Sequence, residues 1–238
     1  MTWSIIAREP ETKRLGIAVA TRFFAVGARV PFVKAGIGAI ATQALLNPFY
    51  GSQGLQLLAD GMPPASIVQE LIAMDEGRGH RQVHVMDAAG HVAAYTGSAC
   101  IEWAGHMKAE NISVAGNMLT GSEVIEDTLA AYRVNASLPF PQRLIAAMQA
   151  GEAAGGDKRG KQSAALIIFG DEDWSDLDLR VDDHPDPLAE LARLEHVSRT
   201  HWAVFRQFLP NRKNPLGTTD RSVIEAAIAR ANAAEANS

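Results

Sequence analysis

The chain has 238 residues, 47% hydrophobic and 21% charged, a globular balance that excludes a disordered or fibrous protein and suits one domain with a large core. Its 22 Lys and Arg against 27 Asp and Glu leave a net charge of -5, so no surplus of cations exists to neutralise phosphates and no nucleic acid partner is expected. Cys100 is the single cysteine, which excludes an intrachain disulfide framework and a Cys-rich zinc module and suits a reducing cytoplasm.

The first residues, Met1-Thr2-Trp3-Ser4-Ile5-Ile6-Ala7-Arg8, lack the cationic and apolar pattern of a secretion signal. No segment approaches the roughly 20 uninterrupted apolar residues of a membrane span. A cytoplasmic protein with no membrane partner is the expectation.

In chain order, strands are predicted over Thr2 to Ala7, Leu15 to Thr21, Val30 to Lys34 and Ile37 to Ala44. The Pro and Gly punctuation between them leaves no room for crossover helices, so the pairing should be antiparallel. Helix-spaced apolar residues follow Asn47-Pro48 and again Pro63-Pro64, which predicts two consecutive helices. A hairpin comes next, from Gln82-Val83-His84-Val85-Met86-Asp87 through the turn Ala88-Ala89-Gly90 to His91-Val92-Ala93-Ala94-Tyr95-Thr96. Ile112 to Asn117 reads as a strand, Glu123 to Val134 and Gln142 to Ala150 as helices, and Ser163 to Phe169 as a strand after a glycine-rich loop. Beyond Gly170 the chain turns acidic and irregular, then predicts a long helix from Leu188 to Phe208 and a short one from Arg221 to Arg230. The order suits an α+β domain with helices layered on antiparallel sheets, residues 1–170 forming the core and 171–238 a mainly helical extension.

Several motifs are set aside. Gly36-Ile37-Gly38-Ala39-Ile40-Ala41 fits the dinucleotide fingerprint, but the run itself reads as a strand and lacks the required helix. Seven histidines include no ligand motif, so no metal or other cofactor is expected; they are read as surface residues, with His84 and His91 facing one another across the hairpin.

The terminus itself carries chemistry. With Met1 removed, Thr2 presents a hydroxyl and a free α-amine on one residue, a nucleophile with its own base. The amine titrates near pH 8, so an appreciable fraction is unprotonated at neutral pH. Thr2 also heads a core strand, which would hold it rigidly.

The blocks Met1 to Arg8, Gly16-Ile17-Ala18-Val19-Ala20-Thr21-Arg22-Phe23-Phe24-Ala25-Val26-Gly27-Ala28, Ala41-Thr42-Gln43-Ala44, Val114 to Leu119 and Gly155 to Leu166 resemble, in order and over nearly the whole chain, the domain of unknown function 1028 family. The resemblance implies kinship with the N-terminal nucleophile (Ntn) hydrolases and their four-layer α-β-β-α sandwich. The layout is also similar to a proteasome β subunit. By that similarity Lys34 lies near the Thr2 amine and lowers its pKa, Thr42 and Gln43 supply oxyanion donors, and Asp157 and Ser163 hold the amine. Each assignment has a structural rival. Lys34 also reads as a strand-end lysine, Asn117 as an oxyanion donor or a strand end, Asp157 with Arg159 as a loop pair, and Ser163 as a strand start.

The expected activity is hydrolysis of a small amide or peptide-like substrate, with Arg22 binding a substrate carboxylate. The alternative is a non-catalytic Ntn-fold protein that binds a ligand or assembles. Phe23, Phe24, Phe49, Tyr50 and Trp103 offer apolar surface for a homo-oligomer.

Overall fold

The structure is a computed structural model that describes residues 2–236. Ten strands and seven α-helices are found among them: β1 (Thr2–Arg8), β2 (Leu15–Thr21), β3 (Pro31–Lys34), β4 (Gly38–Ala44), α1 (Phe49–Ala59), α2 (Pro64–Ala73), β5 (Arg81–Asp87), β6 (Val92–Thr96), β7 (Gly105–Ala109), β8 (Ile112–Asn117), α3 (Glu123–Val134), α4 (Phe140–Ala153), β9 (Ser163–Phe169), β10 (Leu177–Val181), α5 (Pro187–Thr200), α6 (Trp202–Phe205) and α7 (Arg221–Glu235). No helix among the described residues is long and apolar enough to cross a membrane.

The strands form two antiparallel sheets, one ordered β10-β9-β2-β1-β8-β7 and the other β3-β4-β5-β6. The sheets face one another through β1, β2, β4, β5 and β8, while α3 and α4 cover the outer face of the larger sheet and α1 and α2 that of the smaller. Both faces of each central strand are therefore covered. This explains why β1 and β2 are buried almost throughout instead of alternating between buried and exposed.

Proline placement starts the helices. Pro64 stands at the first position of α2 and Pro141 within the first turn of α4, where a missing N–H costs no intrahelical bond. The closeness of α4 to the sheet depends on Gly16, where a Cβ would run into Leu144 and Phe140. Of the glycine run expected to be strand, Gly38 to Ala41 are strand, while Gly36 and Ile37 form the turn before it; Gly38 opens β4, and a Cβ there would meet the Met86 carbonyl and Leu58.

Three features differ from the sequence expectation. Strands β7 and β10 have no counterpart in the sequence expectation, because the polar and charged residues of Gly105–Ala109 and Leu177–Val181 fit sheet edges, where one flank of the strand has no partner. Because β10 pairs with β9, the expected division at residue 170 falls inside the larger sheet; the first compact unit runs to Leu191 and the second covers Ala192–Ser238. The helix expected over 188–208 stops at Thr200, since His201 leaves helical geometry (φ -120°, ψ -72°) before α6 begins. In the second unit, α7 is capped by the Asp220 side chain, which accepts from the Ser222 N–H at 2.9 Å.

The space between the sheets changes character along the strands. At one end Ile6, Ile17, Ala39 and Met86 form an apolar cluster with Leu15, Val19, Val26 and Val30. Two residues further along β1 the facing side chains are Ser4 and His84, and two further still they are Thr2, Gln43, Gln82 and Asn117. The candidate site lies at this polar end.

Candidate functional site

Register assembles the site. Thr2 pairs with Thr21 on one side and with Asn117 on the other, and Thr21 pairs with Ser163. Ser163, Thr21, Thr2 and Asn117 thus form one rung across four adjacent strands, all buried. Residues opposite one another in adjacent strands share a face of the sheet, so four short polar side chains are delivered to one level. Gln43 and Gln82 pair directly in the facing sheet, and Gln82 pairs with Thr96.

Within this layer the hydrogen bonds fix their own directions. The Thr2 and Thr21 hydroxyls lie 3.1 Å apart. Ser4 donates its only hydroxyl proton to Gln43 Oε1 at 2.7 Å. His84 Nε2, 2.9 Å from Ser4 Oγ, must therefore carry the proton and donate. Its Nδ1 then accepts from Ser113 Oγ at 2.9 Å. Gln43 Nε2 donates to Gln82 Oε1 at 2.8 Å, to the Ala115 carbonyl at 3.1 Å and, more loosely, to the Thr2 carbonyl at 3.4 Å. Asn117 Nδ2 donates to Gln82 Oε1 at 3.1 Å and to the Thr2 carbonyl at 3.4 Å. Gln82 Nε2 reaches Thr96 Oγ1 and the Gly105 and Gly116 carbonyls. Burial, with His106 nearby, pulls the His84 pKa down to about 3. The ring is accordingly neutral at physiological pH, as the hydrogen-bond directions require.

Two cavities open beside this rung. One, of 220 Å³, is lined by Thr2 and Gln43 together with Phe23, Arg29, Leu45 and Arg159. The other, of 270 Å³, is lined by Asn117, the strand partner of Thr2, with His80, Cys100, Ile101 and Met118. Ala44 and Leu45 belong to both. The backbone around them is strained: Ala25, Ala44 and Met118 hold left-handed φ values of 55°, 69° and 54° without being glycine, each costing about 1 kcal/mol or more. Ala44 ends β4, while Ala25 and Met118 follow β2 and β8, all at the Thr2 end.

The expected site residues fall into two groups. Thr2, Gln43 and Asn117 are brought together, and Ser163 shares their rung. The Ser163 hydroxyl does not point at Thr2; it donates to the Phe23 carbonyl at 2.5 Å and accepts from the Val26 N–H at 3.2 Å, anchoring the segment after β2. Asp157 has a comparable task. Its carboxylate accepts from the Arg22 N–H at 2.9 Å and the Arg159 N–H at 2.8 Å, joining the loop before β9 to the end of β2.

Lys34, Thr42 and Arg22 are not gathered there. Lys34 is exposed opposite Gly38, five positions along β4 from Gln43, because β3 runs away from the Thr2 end. Arg29, just before β3, lines the cavity with Thr2 instead. Thr42 alternates with Gln43 and so faces outward, donating to the Asn47 carbonyl at 3.2 Å. Arg22 is exposed and turns its guanidinium to the Arg159 carbonyl at 3.4 Å.

Sequence reasoning missed Ser4, Gln82, His84, Ser113 and Arg29. The histidine expectation is corrected in particular: His84 is fully buried opposite Ala94, whereas His91 lies on the surface against Asp87. A usable signal existed, since Thr2, Ser4 and Ile6 share one side of β1 and Gln82, His84 and Met86 one side of β5, each an inward row that begins polar.

No curated protein matches the chain. Among solved structures, Anbu (ancestral beta-subunit) from Yersinia bercovieri is a distant match, at 12% identity and a TM-score of 0.41 over 88% of this chain and 98% of that one. The crystal structure of protein SPO2555 from Silicibacter pomeroyi, itself assigned to the DUF1028 family model, is far more similar: 34% identity and a TM-score of 0.84 over 92% of this chain and 96% of that one. Residues 2–191 match the model of the Family of unknown function (DUF1028), and the chain belongs to that family.

Proposed function

We propose that this protein is an amide hydrolase of the N-terminal nucleophile type, with the matching four-layer α-β-β-α arrangement and Thr2 as the nucleophile. The observation that carries the reading is the placement of Thr2: it is buried at the head of a central strand, lines a 220 Å³ cavity, and has its carbonyl held by two side-chain amides. A residue held from both neighbouring strands and from the facing sheet has the rigidity that a reacting group requires.

The mechanism requires that Met1, which lies outside the described residues, be removed to free the Thr2 amine. The amine takes the hydroxyl proton as Thr2 Oγ1 attacks the substrate carbonyl carbon. The Asn117 amide keeps its bond to Gln82 Oε1 at 3.1 Å and turns the N–H that reaches the Thr2 carbonyl more loosely, at 3.4 Å, to the oxyanion. As the C–N bond breaks, the ammonium returns its proton to the departing amine, leaving an ester on Thr2. Water then attacks the ester, giving a proton to the α-amine, which passes it to Oγ1 as the acid leaves. Thr21 orients the nucleophile through its hydroxyl. Asp157 and Ser163 hold the two segments that border the cavity.

Intact-mass measurement of the purified native protein tests the condition, and turnover of simple aryl amides by wild type and Thr2→Ala tests the chemistry. A mature chain beginning at Thr2, with turnover lost in the variant, is expected. Retained Met1, or undiminished turnover by Thr2→Ala, overturns the reading.

A further inference from the structure

The two cavities beside Thr2 differ in charge. The one that Thr2 lines has two arginines, Arg29 and Arg159, and no Asp or Glu among its lining residues. The neighbouring one contains no Lys, Arg, Asp or Glu. Arg29 is exposed, and its side chain has no ion-pair or hydrogen-bond partner among the described residues. Arg159 is only weakly compensated: its guanidinium lies 3.4 Å from an Asp157 carboxylate already occupied by two backbone N–H groups. Positive charge is thus concentrated at one cavity of a chain whose net charge is -5.

That cavity also has apolar walls. Phe23 and Leu45 remain 56% and 65% exposed at its edge, beside Val26 and Val30. Exposed large apolar side chains beside one unpaired and one weakly paired guanidinium suit a ligand that offers both an apolar surface and an anion. The volumes, 220 and 270 Å³, are each below the roughly 300–1,000 Å³ of a pocket for a whole drug-sized molecule. Each suits one half of a small molecule. Since Thr2 and Asn117 are strand partners and the two cavities share Ala44 and Leu45, a molecule spanning both would lie across the Thr2–Asn117 pair.

We infer that the substrate is a small carboxylate-bearing amide, with the carboxylate in the Arg29–Arg159 cavity and a neutral apolar group in the cavity beside Asn117. The inference rests on the amide hydrolase reading only for where the bond is cut; the anion-binding cavity stands without it. A guanidinium pair recognises a carboxylate by parallel charge-assisted hydrogen bonds, and a hydrogen bond to a charged group contributes enough to separate a carboxylate from a neutral isostere by about 10-fold or more. The carboxylate can belong to the amine half, as in an N-acyl amino acid, or to the acyl half, as in a dicarboxylic monoamide.

Binding is measured by calorimetry on the Thr2→Ala protein, so that no turnover is needed. The probes are N-phenylacetylglycine, with the carboxylate on the amine half, N-benzylsuccinamate, with it on the acyl half, and the neutral N-benzylacetamide. At least one carboxylate should bind about 10-fold or more tightly than N-benzylacetamide. That preference should vanish in Arg29→Gln/Arg159→Gln, whose two changes are at exposed positions, and should shrink in 0.5 M NaCl. Equal binding of all three probes, an undiminished preference in the arginine variant, or no binding of any probe at millimolar concentration overturns the inference. If the preference is found but Thr2→Ala loses no turnover, the hydrolase reading fails and the anion-binding cavity remains.

Discussion

The two ends of the layer between the sheets are built from the same strands and do opposite things. At the Ile6 end, Ile17, Ala39 and Met86 need nothing from one another but contact, and related apolar residues could exchange there at small cost. At the Thr2 end each group depends on a particular neighbour, down to the direction of each proton. Apolar packing excludes water without specifying position to a fraction of an ångström. A satisfied buried network does specify position, at the risk that losing one member strands the others. Between the two sheets, the second kind of interior stands at the Thr2 end, where the proposed mechanism needs it.

The largest expected effect is on chemistry at the polar end. Thr2→Ala should lower amide turnover by about 10³-fold or more, whereas Ile6→Ala, at the apolar end of the same strand, should leave the rate per folded molecule within about threefold. Ile6→Ala should instead cost about 2–5 kcal/mol of stability in denaturant unfolding. His84→Ala should cost a similar amount by a different route, since it opens a cavity and also takes away the donor to Ser4 Oγ and the acceptor for the Ser113 hydroxyl. It should further impair turnover, because Ser4 orients the Gln43 amide that holds the Thr2 carbonyl. If His84→Ala loses stability but keeps full turnover per folded molecule, the network does not position Thr2.

A smaller effect separates the two ends by pH. The His84 value of about 3 in the folded protein lies below the 6.5 expected when unfolded. As pH falls below 6.5 the unfolded chain takes up a proton that the folded protein refuses. The contribution of His84 is therefore full above pH 6.5 and is lost towards pH 3, by up to about 1 kcal/mol per pH unit. Urea unfolding at several pH values should show a shallower acid slope for His84→Gln than for wild type. Ile17→Val, at the apolar end, should retain the wild-type slope. Identical slopes for His84→Gln and wild type would mean that His84 is not buried neutral.

Much of the fold was legible because its signals are local. Pro64 and Pro141 mark helix starts, Ala88-Ala89-Gly90 marks a hairpin, and central strands such as Leu15–Thr21 are apolar runs bounded by turns. The edge strands β7 and β10 escaped because edge positions favour polar residues and so erase the pattern. The candidate site was legible where one residue would carry the proposed chemistry, as at Thr2. It was illegible where chemistry arises from register: Gln82 becomes a partner of Asn117 only once two sheets face each other, and no spacing in the chain announces that. Alternation alone would have separated Thr42 from Gln43, since adjacent strand residues face opposite ways.

Lys34 yields the smallest expected effect and the clearest contrast between sequence likeness and geometry. Its place in the chain made it the cation expected beside the Thr2 amine, yet β3 carries it to the end opposite Gly38 and leaves Arg29 at the cavity. An exposed lysine at a strand end contributes within about 0.5 kcal/mol to stability. Lys34→Ala should therefore leave both the unfolding midpoint and kcat/KM for an amide substrate nearly unchanged, while Arg29→Ala should raise KM for a carboxylate-bearing amide. Paired pH profiles of kcat/KM make the comparison exacting: a cation beside the α-amine holds its pKa down, so its removal would move the lower limb to higher pH. An unmoved limb in Lys34→Ala fits the register of β3 and β4. A limb displaced upward would mean that Lys34 reaches Thr2 after all, and that the β3–β4 pairing described here is wrong.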